Sequence, residues 1–540
     1  MMKTIYYNGT VYTGESELCG AFAVENGFFV FTGTSGQAME LAGPEDLLVD
    51  LKGHFVCSGF NDSHMHLLGY GSLLSSAALG SHTGSLKDMI AYMKDFAVSR
   101  PSGKDSWIMG RGWNHDYFSD VSRMPDRYDL DQVSSDHPVC AVRACGHCLV
   151  VNSRALELLG ICADTPLPEG GKIGLTDGIP DGRFFDAAMD LVYGAIPAPD
   201  KNEVKSMIMA ACHALNSYGV TSSQTDDYCT FRNLKWNVIH EAYRELEAEG
   251  KLTVRVYEQS HFSSRKELED FMAAGNRTGT GSDLFRTGPL KLMGDGALGA
   301  RTAYLSAPYA DDPSTRGLPM YSQEVLDDLI GYAHCHGMQI AVHTIGDACL
   351  DQVLNAFEKA FSICPGKGRR HGIVHCQITR EDQLERIRRL DLHVYAQSIF
   401  LDYDIHIVEQ RVGKTLAETS YCWKTLLDSG VTVSNGTDCP VELPDAMAGI
   451  QCAVTRKTIR DQAGPYLPSQ RFTVREALDS YTSMGAFSSF EENFKGKVRE
   501  GMAADFVVLG ENPFLADPGT LHRIPVLATV LGGKTVYGKF

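Results

Sequence analysis

Short apolar runs of strand character alternate, between residues 54 and 435, with longer stretches whose apolar residues recur at helical spacing. This alternation constrains the chain more than any other feature. A strand followed by a helix returns to the same sheet as a parallel neighbour, so the pattern builds βα units. Eight strand-like runs can be counted, at 54–60, 219–224, 252–257, 289–293, 338–343, 372–375, 392–397 and 431–435. Helical patterns at 233–249, 323–336, 380–390 and 422–429 lie between several of them. Eight such units predict an α/β fold, a (β/α)8 TIM-like barrel. One interval breaks the rhythm, because about 150 residues separate the first run from the second, far beyond an ordinary connection. An inserted subdomain is therefore expected at 75–200, over the barrel mouth.

The two chain ends differ from this middle. Residues 1–54 hold short β-type runs separated by Asn-Gly and Thr-Gly turn signals, and 497–540 repeat that style. The expectation is a small β-sandwich domain assembled from both ends, 1–54 plus 497–540, around a barrel at 55–496. A chain of 540 residues is long enough for this division.

Charge and composition exclude several classes of partner. A net charge of −18 argues against nucleic acid or an anionic membrane, both of which need clustered Lys and Arg. No stretch reaches 18 apolar residues, and the first residues lack the apolar core of a secretion signal. The expectation is a cytoplasmic protein acting on a small molecule. The 15 cysteines are then mostly buried thiols in a reducing compartment. Cys145-Gly-His-Cys148 has the letters of a redox motif but not its context, so two cysteines in a packed strand-turn is the reading adopted.

In a barrel of this type, catalytic groups sit at the C-terminal ends of strands. His64 and His66 in Gly59-Phe-Asn-Asp-Ser-His-Met-His66 are spaced i, i+2, so in an extended segment they project to one side and can grip one ion. They are expected to follow the first strand, after a turn permitted by Gly59 and Asn61. His343 ends its run, His375 ends another, and Asp438 follows a third. Imidazoles and a carboxylate suit a divalent ion such as zinc. Lys291 lies inside the apolar run 288–293, where a charged ammonium is costly to bury. A neutral amine there can react with CO2, and a carboxylated Lys291 would offer two oxygens able to bridge two metal ions.

Together these residues resemble the amidohydrolase superfamily. The run Lys291-Leu-Met-Gly-Asp-Gly-Ala-Leu-Gly-Ala-Arg301 is similar to its YtcJ-like branch, which includes N-substituted formamide deformylases. Gly110-Arg-Gly-Trp113, Asn152-Ser-Arg-Ala-Leu156, His343-Thr-Ile-Gly-Asp347, Gly436-Thr-Asp-Cys-Pro440 and Gly496-Lys-Val-Arg-Glu-Gly-Met-Ala-Ala-Asp505 extend the likeness over essentially the whole chain. The resemblance implies a distorted barrel with a flanking β-sandwich. It also implies that His64, His66 and Asp438 hold a buried metal, that carboxylated Lys291 bridges, and that His343 and His375 hold a second ion. One or two divalent ions, zinc first among them, are the expected cofactors. Asp438 is then the proton shuttle of a hydrolase that cleaves a non-peptide C–N bond, an amide or N-formyl group. A homodimer is compatible with the resemblance.

Five further residues are candidates for substrate contact: Trp113, His147, Asp295, Arg301 and Gln397. Each has a structural alternative, and Trp113 could equally staple a loop. Asp295 can cap a turn, Arg301 can pair with a carboxylate, and Gln397 can bond backbone. His147 is as readily a polar structural residue. Two other functions stay open at this point. A deaminase or cyclic amide hydrolase would use the same scaffold, and a catalytically silent relative would act as a binding or regulatory protein.

Overall fold

The computed structural model describes residues 2–15, 18–98, 106–145, 147–168, 170–366 and 368–540. Two compact units divide the chain, one of Met1–Leu68, Ala211–Thr230 and Lys235–Phe540, the other of Gly69–Ala210 and Phe231–Leu234.

The first unit is centred on eight strands: β1 (Phe60–Met65), β2 (Val220–Thr225), β3 (Arg255–His261), β4 (Phe285–Met293), β5 (Ile340–Thr344), β6 (Gly372–His375), β7 (His393–Ala396) and β8 (Val433–Asn435). They pair in parallel in that order. The chain after β8 then meets β1, with Asp438 N–H donating to His64 O (2.8 Å) and His66 N–H to Cys439 O (2.7 Å). The result is the expected TIM-like barrel. Helices cover it with one apolar stripe each. In Trp236–Ala248 the buried residues are Ile239, Ala242, Tyr243 and Leu246, and in Gln323–Cys335 they include Leu326, Leu329, Ile330 and Ala333. The i, i+3, i+4, i+7 spacing puts each set on one helix face.

The first expected strand needs correction. The run 54–60 is two strands, not one. Phe55–Ser58 pairs antiparallel with Phe506–Leu509 in another sheet, and only Phe60–Met65 enters the barrel. Gly59 is the crossing point. A Cβ there would sit 2.2 Å from Thr221 Oγ1, so only glycine lets β1 lie this close to β2. Asn61 belongs to β1 and not to a turn, and His64 lies within the strand instead of following it.

Strands from both ends of the chain form two more sheets. Phe28–Gly33, Ala21–Glu25, Thr4–Tyr7 and Leu47–Asp50 make one of them. Lys534–Gly538, Val526–Leu531, Phe506–Leu509, Phe55–Ser58, Thr10–Tyr12 and Leu18–Cys19 make the other. Tyr6, Phe22 and Phe29 of the first share one apolar core with Val11, Val56, Phe506 and Val530 of the second.

The second unit has its own six-stranded sheet, whose centre is Ile108–Trp113, Val139–Arg143 and Cys148–Val151. Successive residues serve opposite faces, Val139 and Ala141 in one core and Cys140 and Val142 in another. Cys148 is buried in its strand and Cys145 is exposed in the turn before it, both as free thiols, while Gly146 lies outside the described residues. Among the described residues, no helix is long and apolar enough to cross a membrane.

Candidate metal centre

Strand ends bring the predicted residues of the first unit together. His64, His66 and Asp438 each offer a ligand atom, and these atoms all lie within 4.8 Å of one another. His64 Nε2 is 3.3 Å and His66 Nε2 is 3.1 Å from the same atom, Asp438 Oδ1. The His375 ring stands 5.5 Å from that of His64 and 4.5 Å from that of His343, centroid to centroid. Register explains the last contact, because His343 of β5 is paired with Val374 and Thr344 with His375.

Two of these residues hold unusual backbone. Asp438 has φ 57° and His375 has φ 73°, a region that residues with a Cβ seldom occupy. Such strain persists only where surrounding bonds enforce it. At Asp438 the enforcing bond is its own N–H to His64 O. Around it, the Asp62 carboxylate accepts from Thr437 N (3.0 Å), from the Thr437 hydroxyl and from His64 N (3.3 Å). At His375, the Trp423 indole donates to the carbonyl at 3.0 Å.

Each histidine is anchored through one ring nitrogen, which leaves the other for a ligand. His64 Nδ1 is 2.7 Å from Gln259 Oε1, and His375 Nδ1 is 2.7 Å from Gln397 Oε1. His66 Nδ1 is 3.3 Å from Asp226 O, and His343 Nε2 is 3.0 Å from Gly296 O. All four partners are oxygen acceptors, so the anchored nitrogen carries a proton, and in the neutral ring the opposite nitrogen keeps its lone pair. This is the outer-shell arrangement that orients metal-binding imidazoles.

Electrostatics agrees for three of the four. Burial lowers the pKa of His64, takes His343 down to about 3 and puts His375 well below the usual imidazole range, and the charge of Lys291 adds to each. Neutral imidazole is the metal-binding form. At His66 burial also disfavours the charged form, but the Asp438 carboxylate overcomes it and raises the pKa to about 9. Asp438 behaves oppositely. Burial pushes it up, yet its hydrogen bonds to His64 and His66 hold it well below the carboxylate range. A neutral-nitrogen and carboxylate set in a buried site fits a borderline divalent ion.

Lys291 is fully buried in β4, and its Nζ is 3.3 Å from Asp226 Oδ2. Burial by itself raises the Asp226 pKa, but Lys291 and His261 reverse that and keep it ionised.

The remaining candidates are placed as follows. Asp295 accepts from Ile345 N, Gly346 N and Tyr304 N (3.0, 2.8 and 2.8 Å) and lies 3.5 Å from His343 Nε2. It staples the loop after β4 to the start of the helix after β5. Arg301 is paired with Asp311 at 2.8 Å, and Gln397 orients His375. In the second unit, Trp113 is buried in that unit's own core with its indole donating to Ala141 O (3.0 Å), and His147 is exposed beside Asp186. Sequence reasoning missed Gln259 and Asp226, which anchor His64 and His66. The available signal was position: Gln259 lies near the end of β3, and Asp226 is the residue after β2.

The model of the Amidohydrolase family matches residues 47–537. This chain belongs to the amidohydrolase family. Within the family it is 35% identical over 543 residues to YtcJ of Bacillus subtilis (strain 168), covering 100% of both chains. It is 25% identical to the N-substituted formamide deformylase of Arthrobacter pascens, over 96% of this chain and 94% of that one. Among solved structures, an uncharacterized metal-dependent hydrolase from Pyrococcus furiosus superposes with a TM-score of 0.78 at 30% identity, over 95% of this chain and 100% of that chain.

Proposed function

We propose that this amidohydrolase-family chain is a metal-dependent hydrolase of a non-peptide C–N bond, an amide or N-formyl group of a small organic molecule. One observation carries the reading: His64, His66 and Asp438 present ligand atoms within 4.8 Å of one another, each imidazole fixed from behind. His343 and His375 extend the donor set. Zinc is the ion best matched to these donors. The names of the Arthrobacter pascens and Pyrococcus furiosus relatives support the bond class and the metal requirement.

A divalent ion held by these residues supplies Lewis-acid polarisation of a carbonyl and a more acidic water. The protein's own part is proton traffic and orientation. Asp438, ionised and set between the His64 and His66 imidazoles, takes the proton of the attacking water and delivers it to the departing nitrogen. Gln259 and Gln397 keep His64 and His375 in a single tautomer. Lys291 is the residue that CO2 would carboxylate. Its amine lies 3.3 Å from Asp226 Oδ2, so carboxylation requires that contact to be given up.

The decisive experiment assays zinc-reconstituted protein on N-formyl amines, acyl amides, lactams and aminated heterocycles, with Asp438→Asn as control. Turnover of the acyclic amides or formamides alone is the expected result. Preference for lactams or for deamination reassigns the bond within the same family, and failure to bind stoichiometric metal overturns the reading.

A further inference from the structure

A second group of ligand-type side chains lies at the ends of β2 and β3, and the proposed hydrolysis uses none of their donors. Cys229 Sγ is 3.3 Å from Asp226 Oδ1, and His261 Nδ1 is 3.5 Å from Asp226 Oδ2. The three ligand atoms all lie within 4.8 Å of one another. Zinc bonds of 2.0–2.3 Å in a tetrahedron put neighbouring donors about 3.2–3.8 Å apart. The two measured separations, one to each oxygen of the Asp226 carboxylate, are of that size.

We propose that Asp226, Cys229 and His261 form a second divalent-metal site, separate from the histidine centre and selective for thiophilic ions such as zinc or cadmium. Three protein donors leave a fourth position open. A carboxylate and a thiolate together cancel the charge of a divalent ion, and sulfur disfavours magnesium and manganese. Asp226 is buried, whereas Cys229 is exposed and His261 only half-buried, so an ion reaches the site from the solvent side.

The site touches the histidine centre in two places without sharing a donor. The Asp226 carbonyl anchors His66 Nδ1, and the Asp226 carboxylate holds Lys291 Nζ at 3.3 Å. Lys291 is also the register partner of His261 across β3 and β4. An ion on the Asp226 carboxylate therefore competes with Lys291 for it and stiffens the segment that orients His66. Occupancy of the second site would in this way tune the first.

The inference does not rest on the hydrolase reading, and its test separates the two. Full-length protein is stripped with chelator and titrated with cobalt(II), whose bond to a thiolate gives a near-ultraviolet charge-transfer band. The expected result is a band that saturates with one equivalent of cobalt. Cys229→Ser abolishes it, His261→Gln weakens the binding at least tenfold, and Cys335→Ser, at an exposed thiol elsewhere, leaves it intact. His64→Asn keeps the band while losing the other equivalent. Equal melting temperatures of wild type and Cys229→Ser without metal confirm that the fold is retained. A band unchanged in Cys229→Ser, a band lost in His64→Asn, or no thiolate band at saturation overturns the proposal.

Discussion

Asp438 sits where two roles meet, since one oxygen faces both His64 and His66 while the backbone is held at positive φ. Replacing it with Asn keeps the shape and removes the base. The expected loss in kcat per bound metal is about 10²–10⁴-fold, the usual contribution of a general base, read by steady-state assay beside metal analysis. Gln259 acts at one remove. Gln259→Leu leaves the His64 Nδ1–H without an acceptor, and metal affinity should fall roughly 10–100-fold by chelator competition. Equal affinity would show that the anchor is dispensable. His66 gives a pH signature in the metal-free protein. Its folded pKa, about 9, lies above that of a free imidazole, so its pairing with Asp438 stabilises fully below ~6.5 and is lost as pH rises through 9. The melting temperature of metal-free wild type should therefore exceed that of His66→Gln near pH 6, and the gap should close by pH 10. At this scale the ligand-type residues were legible because ionisable side chains at the ends of apolar runs are rare. Asp226, Gln259 and His261 were not, because a polar residue in a half-buried strand is ordinary until its partner is seen.

At the scale of elements, the weakest sequence reading was also the most consequential. β1 reads Phe60-Asn-Asp-Ser-His-Met65, four of six residues polar, and all six are buried. Hydrophobic patterning passes over such a segment and selects the apolar Phe55–Ser58 before it, which belongs to a different sheet. The polarity of β1 is the price of the site, since Asp62 and His64 form bonds that close the barrel against the chain after β8. β4 to β7 were visible because each carries an apolar run, whereas β2 (Val220-Thr-Ser-Ser-Gln-Thr225) and β3 (Arg255-Val-Tyr-Glu-Gln-Ser-His261) are as polar as β1 and were legible only through the β-branched and aromatic residues at and before their starts. Gly59 governs the switch between sheets. Gly59→Ala would press a methyl group against Thr221, 2.2 Å from Oγ1 and 2.3 Å from Cγ2. Overpacking of this kind costs about 1–3 kcal/mol, so the urea midpoint should fall with an unchanged slope. The companion variant Gly59→Ala/Thr221→Gly, which clears the space, should recover much of the loss. No recovery would place the cause in the backbone and not in the contact.

For the whole molecule, the site draws its donors from segments far apart in sequence: β1, β5, β6 and the chain after β8. None of these can be brought together in an unfolded chain without the barrel, so under the proposed reading metal binding and barrel stability would be linked. An ion present at 1,000 times its dissociation constant adds about 4 kcal/mol to the folded state. Chelation should therefore lower the melting temperature as well as abolish turnover, and zinc should restore both. The same linkage predicts where the added stability appears. Amides that open only with the barrel gain protection from exchange when the metal binds, foremost those of His66 and Asp438, whose N–H groups seal β1 to the chain beyond β8. Amides in the second unit, such as those pairing Val139–Arg143 with Cys148–Val151, contribute no donor to the centre and should exchange at the same rate with and without metal. Hydrogen exchange read by mass spectrometry on metal-loaded and stripped protein measures this contrast directly. Uniform protection across both units would mean that the chain unfolds as one cooperative body. Protection absent around residues 62–66 and 436–439 would mean that these segments do not hold the ion.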